Sequence, residues 1–257
     1  GTPQGGVLSP LVWNLVFDSF VRAANALPGM VAPTFADDCL AIVTAKSAAL
    51  LEQRVNRLLR LAEHWTSGAG LQIELKKTEL VYFGYSNDSA PLVFFNDRFL
   101  PYSESVKFLG ITLDKYLRFD DHVLAKVNAA KGSLITLCCE KGQWGPRPQM
   151  MKWAYETLVK PAVMYGCHVW SNRLRTSTRN ALKRLQRLAL ECIFSVRKGT
   201  PTAALEVLSG ILPIMKQVES TSLCTVLRIG PSMDKHLTAS GSDNHLTKTR
   251  VKLGKLR

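Results

Sequence analysis

Residues 31–44, VAPTFADDCLAIVT, decide the fold of this chain. Two short apolar runs, Val31 to Phe35 and Cys39 to Thr44, flank Ala36-Asp37-Asp38, which predicts a strand, a tight turn and a second strand. Adjacent carboxylates on a turn repel each other unless solvent or a cation offsets their charge. Because carboxylate oxygens suit Mg²⁺, Asp37 and Asp38 are candidate metal ligands at a hairpin tip. An ordinary acidic turn is the alternative interpretation of the pair taken alone.

The residues on either side of this hairpin predict helices that cover a sheet. Ser9-Pro10 favours a helix start, and this helix is expected to run to about Leu27. Apolar residues recur at helical spacing between Leu51 and Trp65. Further strands are predicted at residues 71–73, 79–83 and 105–113, with a hairpin over residues 92–100.

From about Phe119 the apolar period changes to that of a helix. Helices are expected near residues 119–137, 148–166, 176–195 and 200–228. The polar tail from Pro231 has no apolar periodicity and is expected to be poorly ordered. The sequence therefore predicts an α+β region at residues 1–115, an all-helical region at 116–230 and a basic tail at 231–257.

The charge of the chain favours a polyanionic partner. The sequence has 33 Lys and Arg against 20 Asp and Glu, a net charge of +13. Within the predicted third helix of the second region, Arg179, Lys183 and Arg187 lie four residues apart on one face, opposite an apolar stripe. This face is suited to tracking phosphates, and a solvated helix surface is the alternative.

The cysteines and the apolar runs exclude several other classes of protein. The 6 cysteines form no C-x-x-C pair and have no His at zinc-binding spacing. We expect reduced thiols and no disulfide-linked partner. The apolar runs are too short to span a bilayer, so no membrane partner is expected. The absence of an initial Met suggests a fragment or a cleaved product.

Four sequence blocks together resemble one protein family. Residues 1–10, GTPQGGVLSP, and Phe35-Ala36-Asp37-Asp38 resemble the G-x-P-Q-G-x-x-L-S-P and F/Y-A-D-D blocks of reverse transcriptases. Residues 70–83 are similar to a third block, although Glu74 stands where the family usually has Asn. Residues 106–111, VKFLGI, resemble the primer-grip block of non-LTR, LINE-type retrotransposons. The resemblance, to R1-, Jockey- and CR1-like elements, covers roughly residues 1–215.

The resemblance implies a fold and residue roles. The fold would be an α+β partial right-hand polymerase palm, an antiparallel sheet with covering helices, followed by an all-α thumb-like region. Asp37 and Asp38 would be catalytic metal ligands, Lys77 would face the triphosphate, and Arg179, Lys183 and Arg187 would bind nucleic acid. The remaining implied positions are Gln4, Gly5, Phe35 and Ala36 for substrate binding, and Phe108, Leu109 and Gly110 for the primer grip.

The implied activity is that of an RNA-directed DNA polymerase, which extends a primer 3′-hydroxyl on an RNA template by two-metal phosphoryl transfer. Its partners would be the RNA template, a DNA primer or target DNA, and deoxynucleoside triphosphates, with two Mg²⁺ ions in the complete enzyme. The family's third metal-binding Asp lies upstream of the first block, so this chain alone is expected to be inactive. Nucleus and cytoplasm are the expected locations.

Two alternatives remain open from sequence. The first is an inactive retrotransposon relic that retains only nucleic-acid binding. The second is a structural or interaction protein that has kept the fold. The intact Gln4, Asp37, Asp38 and Lys77 favour the polymerase or a recent relic.

Overall fold

The computed structural model describes residues 5–74, 77–83, 90–95, 98–139, 146–196, 199–237 and 247–253. The chain forms two compact units, Gly1–Tyr116 with Ser242–Arg257, and Leu117–Gly241. The helices and strands of the first unit are α1 (Ser9–Asn25), β1 (Met30–Val31), β2 (Thr34–Phe35), β3 (Asp38–Ala45), α2 (Ala48–Gly68), β4 (Glu79–Phe83), β5 (Phe94–Phe95), β6 (Arg98–Phe99), β7 (Ser105–Phe108), β8 (Ile111–Asp114) and β9 (Thr247–Leu253).

The main sheet of the first unit has five strands, in the order β1-β3-β9-β4, and β2 also pairs with β3. All of these pairs are antiparallel. Since β9 pairs with both of its neighbours in this way, β3 and β4 run in the same direction with β9 between them. Pro33 separates β1 from β2 because a proline has no N–H to donate to a strand ladder.

The core of this unit lies between the sheet and the two long helices. Phe17 and Phe20 of α1 and Leu51 of α2 are almost fully buried with Val43 of β3 and Leu80 of β4. Burying a side chain of this size stabilises a fold by roughly 1.5–3 kcal/mol. Ser47 caps α2, because its side chain accepts a hydrogen bond from the N–H of Leu50.

Two predictions for the first unit are wrong. Residues 71–73 lie outside the named strands. The single strand predicted at residues 105–113 is a hairpin, in which β7 and β8 pair antiparallel with Phe108 opposite Ile111. Its two loop residues, Leu109 and Gly110, have φ of 46° and 79°. Positive φ at both central residues reverses the chain in a tight hairpin turn, whereas a continuous strand needs negative φ.

Some of the helices that the sequence predicts for the second unit are interrupted in the structure. The helices of this unit are α3 (Asp120–Cys139), α4 (Pro148–Ala154), a π-helical turn (Tyr155–Val159), α5 (Lys160–Met164), α6 (Cys167–Trp170), α7 (Thr176–Phe194), α8 (Thr202–Ser209) and α9 (Ile214–Leu237). The π-helical turn precedes Pro161, which has no N–H for an ordinary helical hydrogen bond. Gly210, at φ 68°, ends α8.

Helix α9 and strand β9 place regular secondary structure after Pro231, where the sequence predicts poor order. The helix continues past Pro231 to Leu237, and β9 occupies Thr247–Leu253, whereas the sequence predicted poor order from Pro231 onward. A chain segment without apolar periodicity can pair as a strand because the hydrogen bonds of a sheet come from the backbone.

The expectation of reduced cysteines is wrong for one pair. Cys138 of α3 and Cys192 of α7 form a disulfide. Cys39 and Cys167 are free and buried, and burial raises the pKa of the Cys39 thiol to about 12. The sequence could not reveal the pair because the packing of α3 on α7, and not a local spacing, brings the two sulfur atoms together. In the described part of the chain, no helix is long and apolar enough to cross a membrane.

Candidate functional site

The two adjacent aspartates lie at the tip of the β2–β3 hairpin, as the sequence predicted. Phe35 pairs with Asp38, which leaves Ala36 and Asp37 as a two-residue loop. Both aspartates are half-buried, whereas Phe35 is 65% exposed. Ala36 has φ of 52°, a conformation that costs an alanine roughly 1–2 kcal/mol. The loop is therefore strained, and contacts elsewhere must hold it in this shape.

One such contact comes from α1. The indole Nε1–H of Trp13 donates a hydrogen bond of 2.8 Å to the carbonyl oxygen of Ala36. The Trp13 ring stacks on Phe17, with ring centroids 5.2 Å apart. The hairpin tip is thus connected to the buried core through α1.

A cavity of about 530 Å³ lies beside this tip, between α1 and β2. Aromatic and small polar groups line it, among them Trp13, Asn14, Phe17, Thr34 and Phe35. Such a lining, with aromatic surfaces and a few polar groups, is typical of small-molecule sites. The cavity and the aspartates could therefore contact one ligand that carries both a flat ring and a charged end.

Lys77 lies at the same end of the sheet as the aspartates. Lys252 of β9 pairs with both Leu40 and Glu79, so the starts of β3 and β4 lie at the same end of the sheet, and Lys77 precedes β4 by two residues. Two strand spacings separate β3 from β4, a distance of roughly 10 Å. Lys77 is exposed, and its backbone N–H donates to the carbonyl of Glu74 at 3.0 Å. The structure thus brings Asp38 and Lys77 to one end of the sheet.

The other predicted residues of the first unit are more dispersed. Gly5 is exposed just before α1, with φ of 85°, and Gln4 lies outside the described residues. Phe108, Leu109 and Gly110 lie at the tip of the β7–β8 hairpin, which forms a sheet separate from that of the aspartates. Leu109 is 38% exposed.

The basic face predicted in the second unit lies on α7. Arg179 and Lys183 are exposed, and Arg187 is half-buried, with its Nε 2.9 Å from Glu191 Oε1. The predicted apolar stripe includes Leu182, Leu185 and Ala189, which are buried. A cavity of about 360 Å³ adjoins this face, and its cationic lining residues are Lys183, Arg184 and Arg187. Arg184 was missed because it lies outside the four-residue spacing.

Asp120 has a structural role that the sequence did not reveal. From the first turn of α3, its Oδ1 accepts hydrogen bonds from the backbone N–H of Arg175 and from the Thr178 hydroxyl. Asp120 therefore caps the start of α7 from another helix. Among the described residues, no group of three or more His, Cys, Asp and Glu side chains is placed to hold a metal ion. The aspartates of the hairpin tip thus stand as a pair.

Comparisons with known proteins agree on one relationship. Residues 1–113 match the family described as reverse transcriptase (RNA-dependent DNA polymerase). The putative 115 kDa protein of the type-1 retrotransposable element R1DM from Drosophila melanogaster is 28% identical over 247 residues, which are 95% of this chain and 24% of that protein. The RNA-directed DNA polymerase of the mobile element jockey, also from Drosophila melanogaster, is 25% identical over 72% of this chain and 22% of its own length.

A third relative covers more of its own length. The Pol polyprotein of the type-1 retrotransposable element R1 from Nasonia vitripennis is 25% identical over 83% of this chain and 65% of that protein. The chain therefore spans from about a quarter to just under two thirds of these relatives. No solved structure gives a significant match. The sequence resemblance to non-LTR retrotransposon polymerases is confirmed.

Proposed function

We propose, from the premise that this chain is a relative of the reverse transcriptases of non-LTR retrotransposons, that its first unit supplies part of an RNA-directed DNA polymerase active site. The observation that carries the proposal is the pair Asp37 and Asp38, held half-buried at a strained two-residue loop. Two like charges at such a tip are costly without a cation. The proposed substrates are deoxynucleoside triphosphates, a DNA primer or target DNA, and an RNA template.

The hairpin tip fits a divalent metal. Mg²⁺ in nucleotide-transfer sites is commonly bound by one or two carboxylates, with substrate phosphates and water completing its shell, and Asp37 and Asp38 can supply those carboxylates. When bound there, such ions would activate the attacking 3′-oxygen and neutralise charge on the triphosphate. The chain's own contribution is to hold the two carboxylates at a fixed separation.

The other residues at this end of the sheet have complementary proposed roles. The cavity beside Phe35 and Ala36 accepts the flat part of a nucleotide. Lys77, at the same end of the sheet as Asp38, offsets charge on the departing pyrophosphate, since a flexible ammonium can reach and neutralise a phosphate oxygen. In this arrangement Leu109 presents its exposed side chain to the primer end, between Phe108 and Gly110.

The second unit is proposed to bind the nucleic-acid backbone. The exposed Arg179 and Lys183 on α7 can each neutralise a phosphate, which makes binding sensitive to salt. Arg187 is a weaker candidate because Glu191 already pairs with its guanidinium. We expect this basic surface to extend from Lys183 and Arg184 along the adjoining cavity toward α9.

A titration of the chain with Mn²⁺, followed by electron paramagnetic resonance, tests the metal role. Asp37→Asn is expected to weaken Mn²⁺ binding by an order of magnitude or more, because one of two ligand carboxylates is lost. Asp18→Asn is the matched control, since Asp18 borders the same cavity but pairs with Arg22. Equal binding by Asp37→Asn and the wild type would refute the metal role.

A second function, binding of nucleic acid without polymerisation, is favoured by the basic face of α7. An RNA–DNA duplex titrated at several salt concentrations tests it: Arg179→Ala with Lys183→Ala should lower both the affinity and the salt slope. Lys216→Ala is the control, because Lys216 is an exposed cation on α9 that pairs with Glu219. Primer extension by the protein of the complete reading frame, lost in Asp37→Asn, would distinguish a polymerase from a binding protein.

A further inference from the structure

The strained hairpin tip receives a hydrogen bond from Trp13 of α1, which also lines the adjacent cavity. Trp13 Nε1 lies 2.8 Å from the carbonyl oxygen of Ala36, the loop residue with positive φ that directly precedes Asp37. We infer that Trp13 is a positioning residue for the metal-binding carboxylates, acting through the Ala36–Asp37 peptide. This inference rests on the proposed metal role of Asp37 and Asp38.

The hydrogen bond from Trp13 is accepted by the peptide group that determines the geometry of the turn. The Ala36 carbonyl belongs to the planar peptide that joins Ala36 to Asp37, so the direction of this carbonyl fixes where the Asp37 backbone begins. Because Asp38 pairs with Phe35 as the next residue of the hairpin, both carboxylates depend on that peptide. A donor on the Ala36 oxygen therefore selects one turn geometry among those that a two-residue loop can adopt.

Trp13 is itself held in place by the core. Its ring stacks on Phe17 with an interplanar angle of 24°, and Phe17 is 3% exposed. Phe17 also contacts Trp65 of α2, with ring centroids 5.5 Å apart. The direction of the indole N–H is thus fixed by packing that continues into α2, as a residue that supports a functional site requires.

The matched experiment removes the same donor at two places. Trp13→Phe keeps an aromatic ring against Phe17 but has no N–H to donate. Trp65→Phe is the control, because Trp65 donates its indole N–H to the Ser19 hydroxyl at 2.8 Å and also packs on Phe17. Both variants lose one indole hydrogen bond near the same core residue, and only one of these bonds reaches the hairpin tip.

Two measurements follow from this design. The first is the backbone coupling constant of Ala36 by nuclear magnetic resonance, which reports φ and is expected to change in Trp13→Phe and not in Trp65→Phe. The second is the Mn²⁺ affinity, expected to fall about three- to tenfold in Trp13→Phe, the range for one lost hydrogen bond, and to stay at the wild-type value in Trp65→Phe. A general loss of packing would affect both variants alike.

The outcomes separate the inference from the proposed function. An unchanged Ala36 coupling constant and unchanged Mn²⁺ affinity in Trp13→Phe would overturn the inference, as would equal effects of both variants. If Asp37→Asn weakens Mn²⁺ binding while Trp13→Phe does not, the metal role stands and the positioning role fails. If the wild type shows no Mn²⁺ binding that depends on Asp37, the proposed function fails, and the positioning role that rests on it is overturned as well.

Discussion

The β2–β3 and β7–β8 hairpins turn through loops of the same length, but different contacts join them to the rest of the first unit. In both, a residue other than glycine takes the first loop position with positive φ, Ala36 at 52° and Leu109 at 46°. The first hairpin receives a hydrogen bond at its tip, from Trp13. The second has hydrogen bonds just before its base. The Ser103 N–H donates to the carbonyl oxygen of Leu80, and the Tyr102 hydroxyl donates to the carbonyl oxygen of Pro91.

The second loop position separates the two turns further. Gly110 has φ of 79°, whereas Asp37 has a negative φ. A turn that needs positive φ only once leaves its second position open to a functional residue, and a turn that needs it twice favours glycine there. The comparison teaches that the type of loop decides which hairpin readily carries a carboxylate at its second loop position.

The largest expected difference between the hairpins is at this second loop position. Gly110→Ala should lower the stability of the β7–β8 hairpin by about 1–2 kcal/mol, because an alanine at positive φ is strained. Asp37→Ala should change the stability of the β2–β3 hairpin by less than about 0.5 kcal/mol. Native-state hydrogen exchange of the β3 and β8 amides measures both. Equal losses at the two positions would break the comparison.

The next effect concerns the base of the second hairpin at alkaline pH. Burial, with Tyr82 nearby, raises the pKa of Tyr102 to about 12 from an ordinary value near 10. The folded chain keeps this proton when the unfolded chain loses it, so the stabilisation is complete below about pH 10 and falls as the pH rises toward 12. Urea denaturation between pH 9 and about 12 should show this fall.

The Tyr102→Phe variant should have a flatter pH dependence in that interval. Tyr116→Phe is its control, because Tyr116 is 63% exposed. A pH dependence that is the same in the wild type and in Tyr102→Phe would show that the base of the hairpin does not depend on this hydroxyl.

A smaller effect is expected from relieving strain at the first tip. Ala36→Gly should raise the free energy of unfolding by about 0.5–1 kcal/mol, since the relief of strain exceeds the added chain entropy of a glycine. The same change should leave Mn²⁺ affinity no higher, because a glycine tip is less rigid. Chemical denaturation and the Mn²⁺ titration measure the two quantities, and a loss of stability would contradict the strain assigned to Ala36.

The smallest effect is expected at the ion pair across the base of β7 and β8. Lys115 Nζ lies 2.6 Å from Glu104 Oε2, and Glu104 is largely exposed. Glu104→Gln should leave stability unchanged within error at physiological salt, because exposed ion pairs are screened. A clear loss that persists at high salt would show that the base of this hairpin depends on charge as well as on Tyr102.

The two hairpins also show what the sequence could predict. The aspartate hairpin was predicted because apolar runs end sharply at two acidic residues, a local signal of a turn. The sequence predicts a strand through the β7–β8 loop, because Leu109 is apolar and continues the apolar run around it. The chain reverses at Leu109 and Gly110, which both have positive φ, and leucine gives no local sign of that conformation.

The tertiary contacts were beyond local patterns. Trp13 and Ala36 are 23 residues apart, and a tryptophan on an amphipathic helix predicts core packing and not a hydrogen bond to a distant loop. Cys138 and Cys192 are separated by 54 residues and form a pair only because α3 packs on α7. The sequence blocks that contain Asp38 and Lys77 lie at the same end of the sheet. The proposed role of Lys77 stays a prediction.

The position of β9 affects when the first unit can assemble during synthesis. In the sheet of the described residues, β9 lies between β3 and β4, and its Leu253 pairs with Cys39, more than 200 residues earlier. Pairing over such a sequence separation is slow, because a long loop must close before any contact forms. On the ribosome the helices of the second unit are synthesised before β9, so the edge of β3 that β9 covers stays open while those helices are made.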